Sequence, residues 1–176
     1  MMQPAALPPG ALDRASLLRL LQRTLPLVEG MPDAATQVQP NGIDLTVACV
    51  AWVASIGQIG VSNADRLLPS THDLGWDADG WTHLAAGPYV ATTNETVHTP
   101  LDLTLLLWPR SSLLRSGVAV HTAVVDAGYE GRLVFLLSVL NPHGFRLQRD
   151  ARIAQLVAFT LSAPATEGYQ GVYQGT

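Results

Sequence analysis

Residues 108–133 read WPRSSLLRSGVAVHTAVVDAGYEGRL. The stretch begins where one apolar run, LDLTLLLW, ends, and it leads into another, GRLVFLLSVL. Between them GVAVHTAVV is β-branched and apolar, and Gly117, Asp126, Gly128 and Gly131 punctuate it. Short apolar runs broken by Gly, Pro, Asn or Asp at intervals of about ten residues are the pattern of an all-β barrel or jelly roll.

The same punctuation continues outward in both directions. Towards the C-terminus come FRLQ and ARIAQLVAFTL. Towards the N-terminus, WTHLAAG and PYVATTNETV read as strands, residues 56–61 as a short strand with glycines near its ends, and LLPSTHD as a turn. GWDADGW reads as a hairpin tip with Asp79-Gly80 as its turn pair. QPNG is a turn into the strand IDLTVACVAWV. One helix is expected, within residues 12–25, with Asp13 as N-cap and Leu17, Leu18, Leu20 and Leu21 as its apolar face; Pro26 and Gly30 end it. Residues 1–11, rich in Pro and Ala, are expected to be frayed or extended. LTLLLW and LVFLLSVL are apolar on both faces, which calls for a two-layer core or an oligomer interface over the outer face. The Gly-, Tyr- and Gln-rich segment 164–176 should be a flexible arm that can fold over a ligand.

A chain of 176 residues, 48% hydrophobic and 14% charged, is expected to form one globular domain. A net charge of −4 argues against a nucleic-acid partner. All ten basic residues are arginine, as coding bias in a GC-rich genome would give, so a bound phosphate must be held by guanidinium groups, backbone N–H groups or a metal. Cys49, the single cysteine, excludes an intrachain disulfide and a cysteine-based zinc site, and it reads as a core residue. The five histidines are scattered without ligand spacing. No segment reads as a signal peptide or a membrane span, so a cytoplasmic protein without a membrane partner is expected.

Chemistry is expected at a few polar residues set among apolar ones. Arg110, Ser111 and Ser112 combine a guanidinium, two hydroxyls and turn N–H groups; they suit either a polyanion cradle or a capped turn with a solvated arginine. Asp126 ends an apolar strand, where a carboxylate can orient water or hold a metal; Asp is equally the usual first residue of a β-turn. Asp44 lies inside a strand and needs a partner, either an arginine or a metal-bound water, and Gln155 is likewise a polar residue inside an apolar strand.

Read together, these segments resemble the dUTPase/dCTP deaminase superfamily from about residue 13 to the end. QPNGIDLTV resembles its first motif, PRSSLLRSGV its second, VVDAGYEG its third, ARIAQLV its fourth and GYQGVYQG its C-terminal arm. The PRSSL and YQG forms, with a helix before QPNG, are closest to the deaminases and the archaeal-type dUTP diphosphatases. The resemblance implies a distorted jelly roll with a short N-terminal helix. It also implies a homotrimer with shared active sites, a deoxynucleoside triphosphate substrate and Mg²⁺. Carried over by position, Arg110, Ser111, Ser112 and Gln155 would meet the triphosphate, with Arg115 assisting across the subunit boundary. Asp126 would orient the attacking water, Tyr129 would pack under the deoxyribose, and the backbone of residues 119–125, Val125 included, would read the base. Tyr169 and Gln174 of the arm would close on the substrate, and Asp44 would support the metal or the arginine network. The deaminases carry a catalytic glutamate ten residues after the aspartate of the third motif; the corresponding residue here is Leu136, which cannot shuttle protons. The expectation is therefore a dUTP diphosphatase that yields dUMP and pyrophosphate and limits uracil in DNA. A dCTP deaminase and a non-catalytic nucleotide-binding homologue are the alternatives.

Overall fold

The computed structural model describes residues 7–175. In chain order its elements are α1 (Arg14–Leu21), β1 (Val28–Glu29), α2 (Ala34–Gln37), β2 (Val38–Gln39), β3 (Gly42–Val53), β4 (Thr71–Asp73), β5 (Trp81–Leu84), β6 (Gly87–His98) and β7 (Leu103–Pro109). They continue with α3 (Ser111–Arg115), β8 (Val118–His121), β9 (Glu130–Val139), β10 (Phe145–Gln148) and β11 (Arg152–Thr160). The principal sheet runs β7-β11-β3-β6-β9-β8, with β1 added to β6 and β2 and β4 to β3. All its pairings are antiparallel.

The two ends of this sheet meet. Leu105 in β7 exchanges two backbone hydrogen bonds of 3.0 Å with Val125, in the segment that follows β8. The Thr122 hydroxyl donates to Leu107 O at 3.1 Å. The sheet is thus nearly closed, the barrel-like fold expected from the sequence. Its interior holds the apolar residues of alternate positions: Ile43, Leu45 and Val47 from β3, Leu103 and Leu105 from β7, Leu137 from β9, and Ile153 and Leu156 from β11, all at most 1% exposed. Period-two burial is clearest in β9, where Leu133, Phe135, Leu137 and Val139 point inward.

The outer face of β9 is uncovered in the single chain: Val134 is 56% exposed and Leu136 37%. Leu136 therefore lies outside the core, and the doubly apolar run does not reflect a second layer contributed by the same chain.

The helix is shorter than expected. Asp13 caps it as predicted, its carboxylate accepting from Ser16 N at 2.9 Å, but it stops at Leu21, because Pro26 turns the chain and Leu27 N bonds back to Leu20 O. Of the two states expected for this end of the chain, residues 8–12 take the extended one. They pair with the end of β11, through Leu12 N to Ala158 O at 2.9 Å and Thr160 N to Gly10 O at 3.2 Å. Residues 1–6 of that expectation lie outside the described residues.

Residues 56–61 do not form a strand. They belong to an exposed loop with one bridge, Gln58 to Leu67, and Ile56 and Ile59 face solvent. The expected turn 67–73 ends in β4, which pairs with β3. At residues 77–81 the turn forms, with Gly80 at φ +77° and Asp77 Oδ1 accepting from Trp81 N at 2.7 Å. It is not the tip of a hairpin, however, since the departing strand β5 pairs with the distant β10. No helix among the described residues is long and apolar enough to cross a membrane.

Candidate active site

The expected site residues fall into two groups. The first gathers on Asp44, 2% exposed in β3. Register places Gln155 of β11 opposite both Asp44 and Trp108 of β7, so the fourth-motif glutamine sits between the first and second motifs. Arg110 is the N-cap of α3 but makes no side-chain cap bond. Its guanidinium turns back instead, Nε lying 3.0 Å from Asp44 Oδ2 and Nη1 donating to Arg152 O at 3.3 Å. Arg152 Nη1 reaches the same Asp44 oxygen at 3.4 Å and donates to Thr36 O at 2.6 Å. Of the two roles expected for Asp44, the contacts present are those of an arginine holder. Ser111 and Ser112 form the exposed first turn of α3, and Arg115 is exposed in its last turn.

Burial raises the Asp44 carboxyl above its ordinary 3.8, although Arg110 and then Arg152 each pull it down. A carboxyl raised by folding holds its proton more readily in the native state. Its contribution to stability is therefore full below the unfolded value and is lost as pH rises through the raised native one. Arg110→Ala removes the larger of the two lowering charges and should move the Asp44 titration further up, which ¹³C NMR of the carboxyl would register.

The second group lines a cavity of about 700 Å³. Val125, Asp126, Tyr129 and Tyr169 face it, joined by Arg132 and Tyr173, and the remaining walls are largely apolar. Asp126 is exposed and is the single acid among the lining residues. Its placement follows from closure of the sheet, because the Leu105–Val125 bridge fixes the residue immediately before it. Tyr129, 9% exposed, donates its hydroxyl to Arg132 O at 2.8 Å and meets the Tyr169 ring edge-on at 5.5 Å between centroids. Arg110, Ser111, Ser112, Arg115 and Gln155 do not line this cavity.

Rather than extending freely, the arm 164–175 folds back on the turn at residues 126–130. Tyr169 N donates to Ala127 O at 2.8 Å, and Gly175 N to Glu130 O at 2.8 Å. The Gln174 side chain accepts from Glu130 N at 3.2 Å and donates to Gly128 O at 3.1 Å. Tyr169 thus reaches the cavity directly, while Gln174 acts as the arm's fastener. Gly128 lies at φ +79°, and a Cβ there would stand 2.4 Å from Gly168 Cα. Gly128→Ala should cost about 1–2 kcal/mol in backbone strain alone and displace the arm. Faster chymotryptic cleavage at Tyr169 and Tyr173 would report that displacement.

Arg152 and Arg132 were not among the residues expected from the sequence. Arg152 lies inside the fourth motif and Arg132 just after the third, but the register that aims Arg152 at Asp44 pairs residues more than a hundred positions apart, and local spacing carries no trace of it.

A family model described as dCTP deaminase-like matches residues 11–161. The chain is 42% identical over 163 residues to the probable deoxyuridine 5'-triphosphate nucleotidohydrolase of Methanosarcina mazei, covering 93% of this chain and 95% of that protein. It is 36% identical over 140 residues to the deoxyuridine 5'-triphosphate nucleotidohydrolase of Methanocaldococcus jannaschii, covering 79% and 88%. Among solved structures, a 2'-deoxycytidine 5'-triphosphate deaminase from Agrobacterium tumefaciens superposes with a TM-score of 0.65 at 20% identity, over 86% of this chain. The chain spans 48% of that deaminase's length, and at this identity the likeness is one of fold.

Proposed function

The chain belongs to the dCTP deaminase-like family, and from that premise we propose that it is a dUTP diphosphatase, splitting dUTP and water into dUMP and pyrophosphate. The observation that carries the reading is the cavity, which joins one acid, Asp126, to the rings of Tyr129 and Tyr169. Relatives matched over most of their length carry the corresponding name.

In this reaction the uracil lies along the backbone of residues 119–125. A base whose edge presents donors and acceptors in one order is distinguished there from cytosine, whose order is reversed. The deoxyribose rests on Tyr129, where a 2'-hydroxyl has no room. Asp126 accepts the proton of a water as that water's oxygen bonds to the α-phosphorus. The bond from the α-phosphorus to the bridging oxygen breaks on the side opposite the water, and that oxygen leaves as part of the pyrophosphate. Arg110, Ser111, Ser112 and Gln155 bind the phosphate oxygens, with Arg115 beside them. Tyr169 closes over the nucleotide, and Gln174 holds the arm shut.

Among the described residues no group of three or more His, Cys, Asp or Glu side chains forms a metal site. The Mg²⁺ of the proposal would then be carried by the triphosphate, with no direct side-chain ligand assigned to it and Asp44 supporting it only indirectly, through water or the arginines. Bound there, it would neutralise phosphate charge. The two groups of residues occupy separate parts of one chain. A homotrimer in which one copy supplies Asp126 and its neighbour supplies Arg110 would join them, covering outer-face residues such as Val134 and Trp108. Removing dUTP would keep uracil out of DNA.

The test is incubation of the purified protein with Mg²⁺ and either dUTP or dCTP. Pyrophosphate and dUMP from dUTP, with no ammonia from dCTP, is the expected outcome. Ammonia from dCTP would establish the deaminase in its place, and binding of dUTP without pyrophosphate release would point to a non-catalytic homologue. Against the deaminase stands Leu136, which is 37% exposed and not among the cavity's lining residues.

A further inference from the structure

Beside the active-site cavity lies a second cleft that shares Tyr129 with it, and among its lining residues is a buried titratable side chain the proposed mechanism does not use. His98, the last residue of β6, is 9% exposed. Its Nε2 lies 3.0 Å from Glu29 Oε2, and its Nδ1 lies 3.0 Å from Glu130 Oε1, the latter an ion-pair contact off the hydrogen-bonding direction. A ring with hydrogen on only one nitrogen can donate to only one of these carboxylates. The imidazole is the bridge between them, and both carboxylates are more than half exposed.

Glu130 is also where the arm is fastened: its N–H donates to Gln174 Oε1, and its carbonyl accepts from Gly175 N. The neighbouring backbone is already tied to the end of β6, through Thr99 N to Tyr129 O and Gly128 N to Thr99 O, both at 2.9 Å. Glu130 itself is the register partner of His98 at the end of the β6–β9 ladder, so what remains adjustable at this corner is its side chain and, through it, how squarely its N–H and carbonyl face the arm. Arg23, at the end of the N-terminal helical segment, faces the same surface cleft as His98 and Glu130, and Tyr129 forms the wall between that cleft and the active-site cavity.

We infer that His98 is a positioning residue for the C-terminal arm: clamped between Glu29 and Glu130, it fixes the backbone to which Gln174 and Gly175 bond, and so sets how firmly the arm closes. Its effect on the arm stands independently of the substrate, whereas its effect on catalysis rests on the dUTP reading. The affinity of the closed state depends on His98, and the chemical step at Asp126 does not.

Hydrogen exchange of the full-length, ligand-free chain reads the arm directly. His98→Ala should exchange the segment 164–175 about threefold faster while the β3, β6 and β9 amides stay protected. His98→Gln, which keeps a donor for one carboxylate, should fall between the two. Glu29→Gln, at an exposed position, loosens the same clamp from its far side and should move exchange in the same direction by a smaller factor. In turnover, His98→Ala should raise KM for dUTP about fivefold, as loss of about one net hydrogen bond would give, with kcat within twofold. Added to Gln174→Ala, it should change KM little further, because both act on one fastening. Unchanged arm exchange in both His98→Ala and Glu29→Gln would overturn the inference, as would effects of His98→Ala and Gln174→Ala on KM that multiply. A wild-type chain inert towards dUTP would remove the diphosphatase reading and leave the exchange result to decide this one.

Discussion

Asp126→Asn should bind dUTP with a near-normal dissociation constant and turn it over about 10²–10⁴-fold more slowly, the range for loss of a positioned general base. Asparagine keeps the size and polarity of the side chain, so the cavity formed with Tyr129 and Tyr169 should persist. It cannot accept the proton released as water attacks phosphorus. Asp126 is exposed and has no side-chain partner among the described contacts, so thermal unfolding of the variant should match that of the parent chain. Single-turnover pyrophosphate release set beside equilibrium dUTP binding checks both halves, and near-normal turnover would defeat the assignment.

Arg110→Ala should lower kcat/KM for dUTP by about 10²–10³-fold, the loss typical when one fixed donor to developing charge is removed. Arg110→Lys should rescue little of it. Arg110 Nε is spent on Asp44 and Nη1 on Arg152 O, so in the proposed reaction Nη2 would be left for the phosphates while the rest of the fork is anchored behind. A lysine ammonium cannot do both with the same geometry. The variant also leaves Asp44 with Arg152 as its remaining counter-charge, at a stability cost of about 1–3 kcal/mol. If neighbouring copies supply Asp126 and Arg110 to one site, chains of Asp126→Asn and Arg110→Ala unfolded and refolded together should recover activity that neither has alone. Steady-state kinetics of the separate and co-refolded variants measures both effects, and absence of recovery in a verified mixed oligomer would place the complete site within one chain.

The sequence made the chemistry-bearing residues legible and left their meeting places hidden. PRSSLLR and VVDAGYEG mark a guanidinium beside two hydroxyls and a carboxylate turn through residue types at close spacing. By the resemblance, Leu136 stands ten positions after Asp126 where the deaminases carry a catalytic glutamate. Arg152 as second partner of Asp44, Gln174 as fastener of the arm and His98 between two glutamates have no such local signature, because every partner lies far away in the chain.

By itself, the sequence determined most of the strand runs from β6 onward and the capped helix at Asp13, since punctuation and capping act over a few residues. Only the tertiary structure decided the rest. Closure of β7 onto residues 122–125 carries Asp126 to the cavity. The register of β11 between β3 and β7 gathers Asp44, Arg110, Arg152 and Gln155. Pairing of β5 with β10 replaces a hairpin that the local turn alone would have favoured. The physical reason is common to all three: a strand's pattern specifies which face it buries, whereas its neighbour and register are set by packing and backbone hydrogen bonds summed over the whole sheet.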